Sequence, residues 1–243
     1  MESIAANLEA IQARIEAACV AAGRARDSVR LLPVSKTRPI SDLEVAIASG
    51  YTRFGENKAQ DLEAKALELA HVRGLEWVMI GHLQSNKAKI VARHASEFQA
   101  LDSVPLAAEL DRRLQPLGRR LDVLIQVNSS GEESKFGLPP DEVVDFARQL
   151  TTFDALRVRG LMTLAAPSPV QRLVKACFTR MQHVQALLRE AGIDGQRYGE
   201  LSMGMSSDFE LAIAHGATQV RIGTGIFGAR DYGPHDDRDG DRE

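Results

Sequence analysis

Lys36 closes an apolar run, LLPVSK, so its amine stands where a strand would end. An amine partly withdrawn from water gives up its proton more readily and becomes a nucleophile toward carbonyl carbon. The same position also suits a lysine whose stem lies on apolar surface while its charge reaches solvent. Two later segments bear on the choice: SMGMSSD at 202–208 and GTG at 223–225. Ser206 and Ser207 stand where a helix begins, and Gly204 lets a backbone approach closely. Gly223, Thr224 and Gly225 form a second turn that combines glycine with a hydroxyl. Backbone N–H groups at a helix start, joined by hydroxyls, favour a phosphate. Ordinary serine caps use the same residue types. A strand-end amine together with two such turns fits a phosphorylated aldehyde held as a Schiff base on Lys36. Pyridoxal 5′-phosphate is the leading candidate, and a sugar phosphate handled by an aldolase is the other. Arg221, two residues before the Gly-Thr turn, would reach the nitrogen of a pyridine ring. Its alternative is an ion pair with Glu200. His82 reads either as a proton carrier or as a polar residue beside the site.

These residues need a frame that brings them together. Short apolar runs recur near 30–35, 52–54, 76–80, 97–101, 121–127, 157–161, 198–202 and 219–222. Helical patterns fall between them, near 40–49, 58–70, 85–93, 104–115, 140–150, 170–190 and 206–215. Alternation of this kind implies parallel strands joined by right-handed crossovers. Eight units predict an α/β fold, a single (β/α)8 TIM-type barrel over residues 1–230, close to the usual size of roughly 250 residues. An extra helix at 3–22, with Ser3 as its cap and Ile4, Leu8, Ile11 and Ile15 on one face, is expected to pack on the barrel. A doubly wound open sheet would want a G-x-G-x-x-G turn after the first strand, where this chain reads VSKTRP. In a barrel, functional residues gather at the C-terminal strand ends. There the sequence places Lys36, Glu56 and Asn57, the GHLQSNK segment with His82, Asp102, Asn128, Thr163 and the two phosphate-type turns. Pro33 fits poorly inside the first strand, because it lacks a ladder donor.

The 243 residues carry a net charge of −3, with 44% hydrophobic and 26% charged residues. Residues 231–243 hold six acidic and two basic side chains, so the other 230 residues sum to +1. A near-neutral body lacks the basic face of a nucleic-acid binder. The acidic segment 231–243 is expected to be disordered. No apolar run approaches the ~18 residues of a membrane span. No secretory signal stands near Met1, where Glu2, Asn7, Glu9 and Arg14 interrupt any apolar stretch, so a cytoplasmic protein is expected. Cys19 and Cys177 read as small core residues. The six histidines show no metal-binding spacing, so no metal is expected.

Seven segments together resemble the pyridoxal phosphate homeostasis proteins: LLPVSKTRP, RFGENKAQ, EWVMIGHLQSNK, VLIQVN with SKFG, VRGLMT, LSMGMSSDFELAI and VRIGTGIFGARDY. That family is similar in turn to the barrel domain of fold-type III enzymes such as alanine racemase. The resemblance runs from about residue 4 to 232. It implies that Lys36 carries the cofactor, that Ser206, Gly223 and Thr224 hold its phosphate, and that Arg221 faces the pyridine nitrogen. It also implies that Asn57, His82 and Met203 line the ring pocket, and that Lys135 takes part in cofactor exchange. Pro33, Arg38 and Ser207 depart from the residues usual in the family. The function implied is a non-catalytic carrier of pyridoxal phosphate that supplies apo-enzymes. An amino-acid racemase and a cofactor-free Schiff-base aldolase are the alternatives. Racemisation needs a second base, which related racemases take from a tyrosine on a further domain. Tyr51 and Tyr198 precede strands, and the short stretch after Asp231 is too small for such a domain. For that reason a monomer without turnover is expected.

Overall fold

The computed structural model describes residues 3–132, 136–166, 168–193 and 198–228. Lys135 and the acidic segment 231–243 lie outside them. Eight strands follow one another among the described residues: β1 (Arg30–Pro33), β2 (Arg53–Glu56), β3 (Glu76–Met79), β4 (Ala95–Leu101), β5 (Leu121–Gln126), β6 (Leu156–Met162), β7 (Glu200–Ser202) and β8 (Gln219–Ile222). Helix α1 (Ile4–Ala21) precedes them. Between them run α2 (Ile40–Ala48), α3 (Ala59–Glu68), α4 (Ala88–His94), α5 (Val104–Leu114), α6 (Val143–Leu150), α7 (Gln171–Glu190) and α8 (Phe209–Ala214). A short helix, α9 (Thr224–Phe227), ends the series. Neighbouring strands pair in parallel in the order β1-β8-β7-β6-β5-β4-β3-β2, the ladder of the expected barrel.

The seam between β1 and β2 is a single bridge, Val34 to Gly55. Its narrowness follows from Pro33. Along β1 the N–H groups alternate sides: Arg30 and Val34 donate to the carbonyls of Thr218 and Ile222 on the β8 side, and Ser35 donates to Gly55 on the β2 side. Pro33 falls on the β2 side, where its missing donor removes one bond from the seam. Proline is therefore tolerated at the end of β1, paired by position with Ile222.

Helix α1 behaves as its pattern predicts. Ser3 caps it by accepting from the Ala6 N–H at 3.2 Å. Leu8, Ile11, Ile15 and Cys19 are buried. Asn7 donates to the Ile226 carbonyl at 2.8 Å, tying α1 to α9 beside the last strand end. No helix among the described residues is long and apolar enough to cross a membrane. Both cysteines are buried and unpaired.

The barrel interior is not wholly apolar. Glu97, Gln99, Ser202, Gln219 and Arg221 are buried inside it. They form one chain of hydrogen bonds. Arg221 donates to Ser202, Ser202 donates to Gln99 Oε1 at 2.7 Å, and Gln99 donates to Glu97 and to Gln219. Arg53 then donates to the far oxygen of Glu97 at the opposite end. Buried polar groups remain tolerable when each finds a partner, as this chain allows.

Candidate functional site

A cavity of about 620 Å³ opens at the C-terminal ends of the strands. Lys36, Asn57, His82, Ser206, Arg221, Gly223 and Thr224 all line it. The barrel thus brings together seven of the residues singled out by spacing. Met203 is not among the lining residues: it is wholly buried in the core, and its neighbour Met205 reaches the cavity instead. Strict alternation would put residues 203 and 205 on the same side; Gly204 between them, at φ 95°, turns the chain and separates the two methionines. Lys135 falls outside the described residues.

Lys36 stands three residues beyond the end of β1 and is half-buried. Thr37 beside it has φ of 63°, a conformation uncommon for a β-branched residue. Asn57 is held where the backbone of Gly81 comes against its carbonyl, and a Cβ at Gly81 would collide with that oxygen. Only glycine permits this approach. The next residue, His82, is stacked on Phe136 with ring centroids 4.1 Å apart and planes 15° from parallel.

The two hydroxyl-bearing turns meet. Thr224 donates to the Ser206 hydroxyl at 3.2 Å, and the Gly225 N–H donates to the same oxygen at 3.3 Å. Gly204, at φ 95°, makes the first turn possible, because a Cβ there would lie 2.6 Å from Ala212 Cβ. The Asp208 carboxylate accepts from the Met205 N–H at 2.6 Å and fixes the turn from below. Burial pushes the Asp208 carboxyl above its usual range. The result is a small concave surface of N–H and O–H donors suited to a phosphate.

Arg221 supplies a buried cation to the site. It is only 4% exposed, yet it lines the cavity. Nη1 donates to Ser202 Oγ and Nη2 to the Thr163 carbonyl, each at 2.7 Å. Glu200, the alternative partner weighed from sequence, pairs instead with Arg30 at 2.6 Å at the other end of the strands. Arg221 makes no ion pair among the described residues, and burial pulls its pKa down to about 10, with Asp208 partly offsetting this through space. It stays protonated at neutral pH and can only donate. Gln126 completes this side. Its Oε1 is buried without a hydrogen-bond partner, and the residue lines the same cavity. An amine, a buried donor cation and a phosphate-type turn therefore face one space. This set fits a phosphorylated aldehyde that carries a ring nitrogen.

A family model for the N-terminal domain of alanine racemase matches residues 4–231. The pyridoxal phosphate homeostasis protein of Pasteurella multocida is 43% identical over 231 residues, covering 95% of this chain and 99% of that protein. The chain belongs to the pyridoxal phosphate homeostasis protein family. A solved structure of another relative, PipY of Synechococcus elongatus with PLP bound, superposes with a TM-score of 0.83 at 34% identity, covering 93% of this chain and all of that one. Alanine racemase of Clostridium difficile 630 has the same fold, with a TM-score of 0.74 at 15% identity over 94% of this chain and 57% of that one.

Several lining residues of this pyridoxal phosphate homeostasis family member were not signalled by spacing. Phe136, Leu164 and Met205 are 56%, 43% and 37% exposed and form an apolar rim around the polar floor. Arg38 also lines the cavity and donates to the Gly228 carbonyl at 2.5 Å. The SKFG motif pointed at the loop carrying Phe136, but nothing in it marked the aromatic ring as a partner for His82.

Proposed function

We propose that this chain binds pyridoxal 5′-phosphate reversibly and serves as a non-catalytic carrier of it. The observation that carries the reading is the convergence of Lys36, Arg221 and the Ser206–Thr224 turn on one cavity. When bound, pyridoxal phosphate supplies an aldehyde on an electron-withdrawing ring. The Lys36 amine adds to the aldehyde carbon and water leaves, giving a Schiff base; the reverse step, with water restored, releases the cofactor. Ser206, Thr224 and the backbone N–H groups of both turns receive the phosphate. Arg221 donates to the pyridine nitrogen and, being protonated, keeps that nitrogen unprotonated. Gln126 and Asn57 offer polar contacts beside the ring. The names of the curated relatives and the PLP-bound PipY support this reading. Two buried free thiols suit the reducing cytoplasm in which such a carrier would serve apo-enzymes.

The racemase alternative requires a base on each face of a bound amino acid. Among the described residues, Tyr51 and Tyr198 precede β2 and β7, and neither lines the cavity. His82 lines it but is stacked on Phe136. The deciding experiment is an absorbance spectrum of the protein loaded with pyridoxal phosphate, before and after borohydride. The cofactor should become fixed on the peptide containing Lys36, and Lys36→Ala should lose the imine band. An unchanged band in Lys36→Ala would remove Lys36 as the attachment site. Incubation with L-amino acids in deuterium oxide tests turnover. Exchange at Cα faster than ~1 s⁻¹, the low end for enzymes, would restore the racemase reading.

A further inference from the structure

Behind Lys36 lies a buried ion pair that the site itself does not use. Lys65, from α3, donates to Glu56 Oε1 at 2.6 Å and to the Ser35 carbonyl at 2.6 Å. The Ser35 hydroxyl donates to the same Glu56 oxygen at 2.6 Å. Ser35 N–H donates to Gly55 at 3.0 Å, and the Ser35 carbonyl accepts from Arg38 N–H at 3.1 Å, closing a turn around Lys36 and Thr37. Every polar group of Ser35 is thus engaged. On the other side, Thr37 sits at φ 63°, a conformation that persists only when its surroundings impose it. Residue 36 is therefore held between a fixed neighbour and a strained one.

A buried ion pair is a poor source of stability, because removing both charges from water offsets their attraction. Glu56 also keeps one buried oxygen, Oε2, without a partner. Burial pushes its carboxyl above the ordinary range, with Lys65 acting in the other direction. An arrangement this unfavourable calls for a role other than stability. The geometry points to the Glu56–Lys65 pair as the device that aims the Lys36 amine into the cavity, making both of them positioning residues for Schiff-base formation. The inference rests on the reading that Lys36 carries the cofactor. The pair touches Ser35, the residue before Lys36, and neither Lys65 nor Glu56 lines the cavity that holds the phosphate turn and Arg221. Its loss should therefore weaken the covalent part of binding alone.

The test compares two ligands on the full-length protein. Pyridoxal phosphate forms the imine; 4-deoxypyridoxine 5′-phosphate has the same ring nitrogen and phosphate but a methyl group in place of the aldehyde. The variants are Lys65→Met and the double Lys65→Met/Glu56→Gln, which removes both charges and leaves no unpaired one. In each, the dissociation constant for pyridoxal phosphate should rise by about tenfold, the order expected when a strained turn relaxes, while the methyl ligand shifts by less than about twofold. The double variant keeps the test open if Lys65→Met alone does not fold. Equal weakening of both ligands, or weakening of neither, would overturn the inference. Wild type that shows no imine band and binds both ligands alike would remove the Lys36 reading itself, and this inference with it.

Discussion

Arginines stand at both ends of the barrel, in opposite circumstances. At the N-terminal ends of the strands four of them meet carboxylates. Arg30 pairs with Glu200, Arg157 with Asp122, Arg159 with both at 3.8 Å, and Arg53 with Glu97 and, at 3.5 Å, Glu76. At the C-terminal ends Arg221 meets a hydroxyl and a carbonyl, and among the described residues no carboxylate is in contact with it. The lower belt is neutralised within the chain. The upper cation lacks such a partner, and burial opposes its charge. The same residue type serves closure of the barrel at one end and recognition of an external acceptor at the other. The two ends are even joined, since the hydrogen bonds from Arg221 through Ser202 and Gln99 reach Glu97 and Arg53.

That contrast can be broken from either side. The largest effect is expected for Arg53→Met, which strands the buried Glu97 carboxylate. Unfolding free energy should fall by about 3 kcal/mol, the low end for a broken buried pair because Arg53 keeps some contact with water. Denaturant titration reads it, and affinity for pyridoxal phosphate in the folded fraction should stay within about twofold. Arg221→Met should invert this pattern. Affinity should drop by about 1.5–3 kcal/mol, the worth of a charge-assisted hydrogen bond, with a smaller loss of stability, since burial already disfavours the charge it removes. Isothermal titration beside denaturant titration separates the two. A stability loss in Arg221→Met that exceeds its affinity loss would end the comparison.

Acidification sharpens it. Burial raises the Glu97 carboxyl above its ordinary value of 4.5, with Arg53 opposing. The folded state then holds that proton more tightly than the unfolded chain does. This destabilising contribution is fully present above the raised value and disappears as pH falls through it toward 4.5. The stability gap between wild type and Glu97→Gln should therefore narrow on acidification through that window, as melts across a pH series would show. The smallest effect is expected for Arg30→Ala. Its pair with Glu200 is half exposed, so the change should stay within about 1 kcal/mol.

Much of this was legible beforehand, and the exceptions have physical reasons. The element order and the strand ends carrying Lys36, Asn57, His82 and Thr224 follow from apolar runs of alternating period. Helix α9 was not foreseen, because four residues are too few to show a helical period. The placing of Met203 depended on alternation across a turn whose path Gly204 sets, and glycine allows either direction.

The sequence by itself determined which residues can do chemistry and, through strand and helix periodicity, that they stand at one end of a parallel barrel. Local pattern suffices there, because each strand end lies within a few residues of the run that makes it. Tertiary structure alone decided which charges are neutralised. Gln99 meets Gln219 across 120 residues, Arg53 meets Glu97 across 44, and Lys65 reaches the backbone of Ser35 across 30. Such contacts depend on how the strands close and tilt around the axis. No local spacing encodes that closure, so neither the uncompensated charge of Arg221 nor the fixed turn at Lys36 can be read along the chain.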